Sequence, residues 1–369
     1  MNRRKKIILR SHHHMTSFVS FLLVKDVCLF RLCLFRISFH TKNKKMEKFF
    51  IDATSLYNSL SPFNVILFIL YALMVVIGLI GNSLVVIIVQ KTISMRTTTN
   101  FLLSNIAVAD IISLVWCIIP LATCLFAEHP KGQVGTYICK FFTGYAMTSI
   151  SVSVKLSSLL IVGVERYRAV LKPLESDYRL EHINYIIGFL WIFAVILALP
   201  GFIYSEYDDQ LGRCLHPGTI EKTATVKWLI TSITVLTAVC SIILFLSYFY
   251  ILKGIYVNKT VCVESVATRQ VNMKAKRKLA IISLTVTVAY IICNAPFLVF
   301  EMYTAYTERE KIRNNYETMY TVYRVVGFIM YFNSCLNPFL YAFQSSNYRN
   351  NFKRIFLRRI IALRNNSIN

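Results

Sequence analysis

The sequence predicts an all-α fold: a bundle of seven transmembrane helices followed by a short amphipathic helix lying on the membrane surface. Three observations predict it. The 369 residues are 56% hydrophobic and only 16% charged, with a mean hydropathy of +0.53, whereas soluble domains carry about 25% charged residues. Apolar runs of membrane length recur seven times. Basic residues gather in the gaps between those runs.

A helix needs about 20 apolar residues to cross a hydrocarbon core about 30 Å thick. Runs of that length lie near 63–90, 100–125, 138–165, 183–204, 226–252, 279–304 and 318–343. None shows the alternation of a lipid-facing barrel strand, and a backbone in lipid must satisfy its own hydrogen bonds, which leaves the helix. Seven crossings place the two chain ends on opposite sides.

Orientation follows from the short connections. Lys91 and Arg96 follow the first run, Arg166, Arg168, Lys172 and Arg179 the third, and Lys253, Lys259, Arg269, Lys274, Lys276, Arg277 and Lys278 the fifth. The opposite face carries acids, notably Glu206, Asp208, Asp209 and Glu221 between the fourth and fifth. The sequence therefore predicts a multi-pass plasma-membrane protein with an extracellular segment 1–62, a seven-span domain 63–343 and a cytoplasmic amphipathic helix and tail 344–369. The formal charge of +23 belongs to these loops, so nucleic acid is not expected as a partner; the lipid bilayer is.

Residues 1–45 hold eleven basic residues against the single acid Asp26, a composition that resists translocation. The semi-apolar run 17–40 is interrupted by Lys25, Asp26, Arg31 and Arg36, a poor span and a poor signal peptide. Translation is expected to start at Met46, and peptides from 1–45 in the mature protein would refute this. At the other end, Tyr348, Phe352, Ile355, Phe356 and Ile360 recur at helical spacing among Arg349, Lys353, Arg354, Arg358 and Arg359. This is a basic amphipathic helix suited to an anionic leaflet; a merely solvated basic tail is the alternative.

Of the ten cysteines, Cys117, Cys240, Cys293 and Cys335 fall inside apolar runs and Cys262 in a basic loop. Cys139, Cys214 and Cys124 are placed to meet an oxidising compartment.

Polar groups inside spans are expensive and mark function. Asp110 lies about ten residues into the second run and Lys155 eleven residues before Arg166 in the third, so both fall near the bilayer midplane at about 1.5 Å per residue. Eleven residues return Lys155 to within about 20° of the Arg166 face. The spacing predicts a buried Asp110–Lys155 ion pair, with Asn82, Asn333, Ser334 and Asn337 available for the remaining donors and acceptors. A pair that only neutralises itself and joins two helices is as good a reading as a switch. Pro120, Pro200, Pro296 and Pro338 interrupt the hydrogen bonding of their helices.

Over about 60–360 the chain resembles the rhodopsin-like (class A) G-protein-coupled receptors. The likeness rests on Gly81-Asn82 in helix 1, Asn105-Ile-Ala-Val-Ala-Asp110 in helix 2, Glu165-Arg166-Tyr167 at the end of helix 3, Trp191 in helix 4 and Asn337-Pro338-Phe339-Leu340-Tyr341 in helix 7. The resemblance implies a receptor that binds an extracellular ligand and activates a heterotrimeric G protein through outward movement of helix 6. It implies that Arg166 holds the inner end of helix 3 at rest, paired with Glu165, and turns to the G protein on activation. Tyr341 and Tyr248 would then fill the vacated space, and Cys139 would be bridged to Cys214 over the ligand pocket.

Departures from the family pattern matter as much. The stretch from Cys139 to Arg166 is two residues longer than usual, so either helix 3 bulges near its top or the cysteine sits in the loop. Asn294 stands in Cys293-Asn294-Ala295-Pro296 where the family has tryptophan, and Cys240 stands where helix 5 usually has proline. Lys155 occupies the place of a serine that helps Asp110 bind sodium; its ammonium would stand in for that cation, making ligand affinity insensitive to sodium.

The span 318–343 lacks the lysine an opsin needs, and Thr148 stands where amine receptors place an aspartate. The outer surface carries Glu128, Glu206, Asp208, Asp209, Glu301, Glu308 and Glu310 among Tyr204, Tyr207, Tyr303, Tyr306, Tyr320 and Tyr323. Such a vestibule suits a basic or amidated peptide, with Thr148, Asn294, Glu301 and Tyr323 as pocket candidates. A lipid or small-molecule ligand, or high basal activity, is the alternative. A transporter would show internal repeats or broken helices with ionisable groups in several spans, and an enzyme would need clustered catalytic groups; the one histidine cluster, His12 to His14, lies ahead of the expected start at Met46. No cofactor and no metal are expected.

Overall fold

The computed structural model describes residues 62–126, 132–171, 182–208, 213–215, 224–256, 266–345 and 348–354. The expectations for 1–45 and for the tail beyond 354 therefore lie outside the described residues. The chain divides into two compact units, Met1–Leu70 and Tyr71–Asn369. Of the first, the described part is the opening of one helix, begun by Pro62, a residue whose fixed φ suits the first helical turn. The second holds the site.

Seven helices are long and apolar enough to cross a membrane. They are α1 Pro62–Lys91, α2 Thr98–Phe126, α3, α4 Ile183–Tyr204, α5 Ala224–Tyr256, α6 Val266–Tyr306 and α7 Tyr316–Gln344. α3 runs in three parts, Gly132–Ile138, Cys139–Thr143 and Ala146–Leu171. After α7, residues 348–354 form the described part of α8. Several helices outrun their apolar stretches. α6 begins at Val266 rather than 279 and shortens the connection after α5 to 257–265, because hydropathy marks only the part in lipid. Residues such as Arg, Gln, Met and Lys extend a helix into water at little cost.

The middle part of α3 settles the question of its extra length. Across Cys139–Thr143 the bonding widens to a π turn, with the Gly144 amide donating to the Cys139 carbonyl five residues back at 2.7 Å. A π turn absorbs a residue that an α-helix cannot, and the chain breaks again at Gly144 and Tyr145 before α3 resumes. The helix bulges, and the cysteine sits in the bulge.

Between α4 and α5 the chain forms an antiparallel hairpin, β1 Glu206–Asp208 against β2 Arg213–Leu215, with Tyr207 opposite Cys214. Three-residue strands carry too little alternation to be read from sequence, and none was expected.

α3 packs against α2, α4, α5 and α6, while α7 packs against α6 and α2. Asn105 pins three helices: its amide donates to Ser158 Oγ at 3.0 Å, and its carbonyl accepts from Trp191 Nε1 at 3.0 Å. At Gly81 a Cβ would fall 2.8 Å from Pro338, so the absence of a side chain lets α1 approach α7. Phe189, Ile192, Ile196, Val235, Ile242 and Phe245 are exposed on α4 and α5. So large an apolar surface suits lipid as its solvent.

Candidate functional site

Three polar clusters lie along the interior. At one end Cys139 is bonded to Cys214, their Cα atoms 5.3 Å apart, and the Cys139 Sγ also faces the Glu206 carbonyl at 3.3 Å. The bridge fastens the hairpin to the top of α3. Ser205 at the foot of the hairpin donates to the Gly201 carbonyl at 2.5 Å, which closes the last turn of α4.

Beneath the hairpin the helices contribute aromatic rings. Tyr145, in the break of α3, stacks on Phe297 of α6 at 4.9 Å, and Tyr323 of α7 lies 6.0 Å from Phe297 and 6.1 Å from Phe300. Thr148 shares a hydrogen bond of 2.9 Å with the Tyr331 hydroxyl, tying α3 to α7. Glu301 is half-buried one turn beyond Phe297, within electrostatic reach of the Tyr145 and Tyr323 phenols. Asn294 differs from its fellow pocket candidates. Its amide nitrogen donates to the Tyr290 carbonyl one turn earlier in α6 at 2.8 Å, so the side chain is folded onto its own helix.

At mid-depth Lys155 Nζ lies 3.2 Å from Asp110 Oδ1, both side chains closed to solvent. The ammonium also donates to Ser334 Oγ at 3.1 Å, and Asn337 Nδ2 donates to Asp110 Oδ2 at 2.7 Å. Asn82 acts one step removed, donating to the backbone carbonyls of Ser334 at 2.8 Å and Gly78 at 2.9 Å. Asn333 is buried one turn nearer the disulfide, and its Oδ1 has no partner among the described residues. Four helices, α1, α2, α3 and α7, therefore meet around one ion pair.

At the far end Arg166 Nη2 donates to Glu165 Oε1 at 2.6 Å and to Thr99 Oγ1 at 2.5 Å, while the Thr99 hydroxyl donates to Glu165 Oε2 at 2.5 Å. The arginine is thus held to α2 as well as to its neighbour. Tyr248 is buried beside the Ser283 and Thr287 hydroxyls and within reach of the Arg166 charge. Tyr341 is buried too and stacks on Tyr348 of α8 at 5.5 Å. Burial pushes the Tyr348 phenol well above its ordinary range. Arg349 caps the end of α7, its Nη1 donating to the Phe343 carbonyl at 2.7 Å and the Ala342 carbonyl at 3.3 Å. Tyr167, by contrast, is exposed and takes no part in this cluster. Pro338 packs against Gly81 as described above.

Sequence reasoning missed Thr99, Tyr145, Phe297 and Tyr331. A threonine at the start of a helix reads as an N-terminal residue, and aromatic residues in a span read as packing. The signal that could have found Thr99 is its place in the first turn of α2, level with the last turns of α3 in an antiparallel pair. Among the described residues no group of His, Cys, Asp and Glu is arranged to hold a metal.

Residues 81–341 match the family described as 7 transmembrane receptor (rhodopsin family). The chain is 27% identical over 287 residues to the neuromedin-K receptor of Cavia porcellus, covering 78% of this chain and 64% of that protein. It is 24% identical over 289 residues to somatostatin receptor type 1 of Rattus norvegicus, covering 78% and 70%. The chain thus spans a little under two thirds of the length of the neuromedin-K receptor it matches. In fold it resembles squid rhodopsin, at a TM-score of 0.67 and 18% identity over 81% of this chain and 86% of that one. Proteins of this kind are receptors rather than enzymes and cross the plasma membrane several times. On the match across its spans, the chain belongs to the rhodopsin family of seven-transmembrane receptors.

Proposed function

We propose that the chain is a receptor for an extracellular peptide and that it activates a heterotrimeric G protein. The observation that carries this reading is the separation of chemistries along one bundle. A cluster of aromatic rings with Glu301 on the adjoining turn of α6, toward the disulfide-fastened hairpin, occupies one end, and a buried arginine held by Thr99 and Glu165 occupies the other. The loop basicity supports a reading with the first end outside, together with segment 1–62, and the second inside, together with 344–369. The relatives named for neuromedin-K and somatostatin point the same way.

In this mechanism the ligand reaches Thr148, Tyr323 and Glu301 between α3, α6 and α7. Asp110 and Lys155 link α2, α3 and α7 below that chamber, so a shift of α7 is felt at the ion pair. α6 then moves outward at its inner end, Arg166 leaves Thr99 and Glu165, and Tyr248 and Tyr341 enter the space. The basic flanks of the connection 257–265, Lys253 on one side and Arg269, Lys274, Lys276, Arg277 and Lys278 on the other, would meet an acidic partner surface. A differential affinity of the ligand for the two states is all that such a shift requires.

The test is a peptide-library screen in cells expressing the chain with a promiscuous Gα reporter, run beside an Arg166→Ala variant. Peptide-dependent signal that vanishes in the variant supports the reading. A signal that persists in Arg166→Ala would contradict it.

A further inference from the structure

Among the described residues the bundle holds two ion pairs, while Arg324 of α7 sets its guanidinium 4.8 Å from the centre of the Tyr320 ring. Asp110 faces Lys155, and Arg166 faces Glu165. Glu301 makes no ion pair among the described residues, and its carboxylate accepts none of the hydrogen bonds found there; the contact at that residue is from Thr304 Oγ1 to its backbone carbonyl, at 3.0 Å. It lies five residues before the end of α6 at Tyr306, about 7.5 Å inside the helix terminus at about 1.5 Å per residue. A carboxylate held there without a cation is costly, and intramembrane ionisable groups persist where they serve a partner.

Its surroundings indicate the partner. The Tyr145 and Phe297 rings are stacked with 26° between their planes, and Tyr323 is inclined 54° to Phe297. Phe297 lies one turn before Glu301 on α6, so these differently tilted rings pack against the face of α6 that carries the carboxylate. Aromatic faces attract a cation that lies within about 6 Å of the ring centroid, most strongly once water is excluded. A carboxylate and a set of ring faces opening on one space is the chemistry that holds an ammonium or guanidinium.

We propose that Glu301 is the anchor for a cationic group of the peptide ligand, which it grips against Tyr145, Phe297 and Tyr323. The proposal rests on the peptide-receptor reading and specifies the chemistry of its pocket. The cation is a side-chain guanidinium, a side-chain amine or the free amino terminus of the peptide, and the sources are separable.

The probe is a library of C-terminally amidated octapeptides, each with one arginine or one lysine, assayed on cells expressing the full chain. Three matched libraries replace arginine by citrulline, replace lysine by norleucine, or acetylate the amino terminus. On the wild-type chain, one replacement is expected to lower potency on the order of 30-fold or more, the scale for breaking a desolvated charge pair. The same replacement is expected to cost less than about threefold in Glu301→Gln, where the pair is already broken. Surface labelling checks that the variant reaches the membrane, and Glu301→Asp should recover part of the potency. Peptides that signal equally well with and without their cations on the wild-type chain overturn the proposal without recourse to any variant. Equal losses in wild type and Glu301→Gln overturn it as well. If no peptide signals from a chain that reaches the surface, the peptide reading itself fails and takes this proposal with it.

Discussion

Lys155 of α3 points its ammonium at Asp110 of α2, 3.2 Å away and out of contact with solvent. Eleven residues further along the same helix, Arg166 is buried on the same side, bonded to Thr99 of α2. α3 thus presents two cations to α2, one at mid-depth and one at its end.

Breaking the deeper pair from one side leaves a buried charge without compensation. Asp110→Asn or Lys155→Met alone should lower the stability of the purified receptor by about 3–5 kcal/mol. The double variant Asp110→Asn/Lys155→Met should recover much of that loss, read as thermal midpoint in detergent and as surface expression. Damage in the double equal to the sum of the singles would show that the two residues do not interact.

The ammonium stands where a small cation would otherwise be needed to balance the carboxylate. Agonist binding should therefore be the same in sodium and in a large organic cation at equal ionic strength. A clear sodium-dependent shift in affinity would reject this, and Lys155→Ser should introduce one.

Thr99 relays between Arg166 and Glu165. Thr99→Val keeps its shape but removes both hydrogen bonds, at a cost of about 1–3 kcal/mol for the buried partners left short. If the cluster holds the resting state, basal signalling at matched surface expression should rise severalfold. Unchanged basal signalling with lowered stability would make the cluster purely structural.

Gly81 permits the approach of α1 to α7. Gly81→Val should destabilise by about 1–3 kcal/mol through overpacking against Pro338, with a smaller effect for alanine. A neutral valine variant would mean that α1 can withdraw at no cost.

Much of this was legible in the sequence, for physical reasons that differ by residue. The spans were legible because lipid selects on length and hydropathy, and those are properties of a string. The meeting of Asp110 and Lys155 followed from depth and helical phase, which are arithmetic. The hairpin was not, because strands of three residues carry too little alternation to show in a sequence. The bulge in α3 was half legible: the excess length announced it, while its position at Cys139–Thr143 depends on packing. Asn294 was read as a pocket residue from its place in α6, yet its bond to the Tyr290 carbonyl competes for the side chain, a local preference that spacing does not reveal. Thr99 was invisible because nothing in a helix-initiating threonine tells which neighbour it meets.

Signalling by this mechanism requires the two ends of the bundle to face opposite sides of the membrane. Short epitope tags placed within 216–223 and, separately, within 257–265 read this directly by antibody binding to living cells. The first tag should be stained on intact cells and the second only after permeabilisation. Staining of both tags on intact cells, or of the second alone, would contradict the placement of the Glu301 chamber outside and Arg166 within.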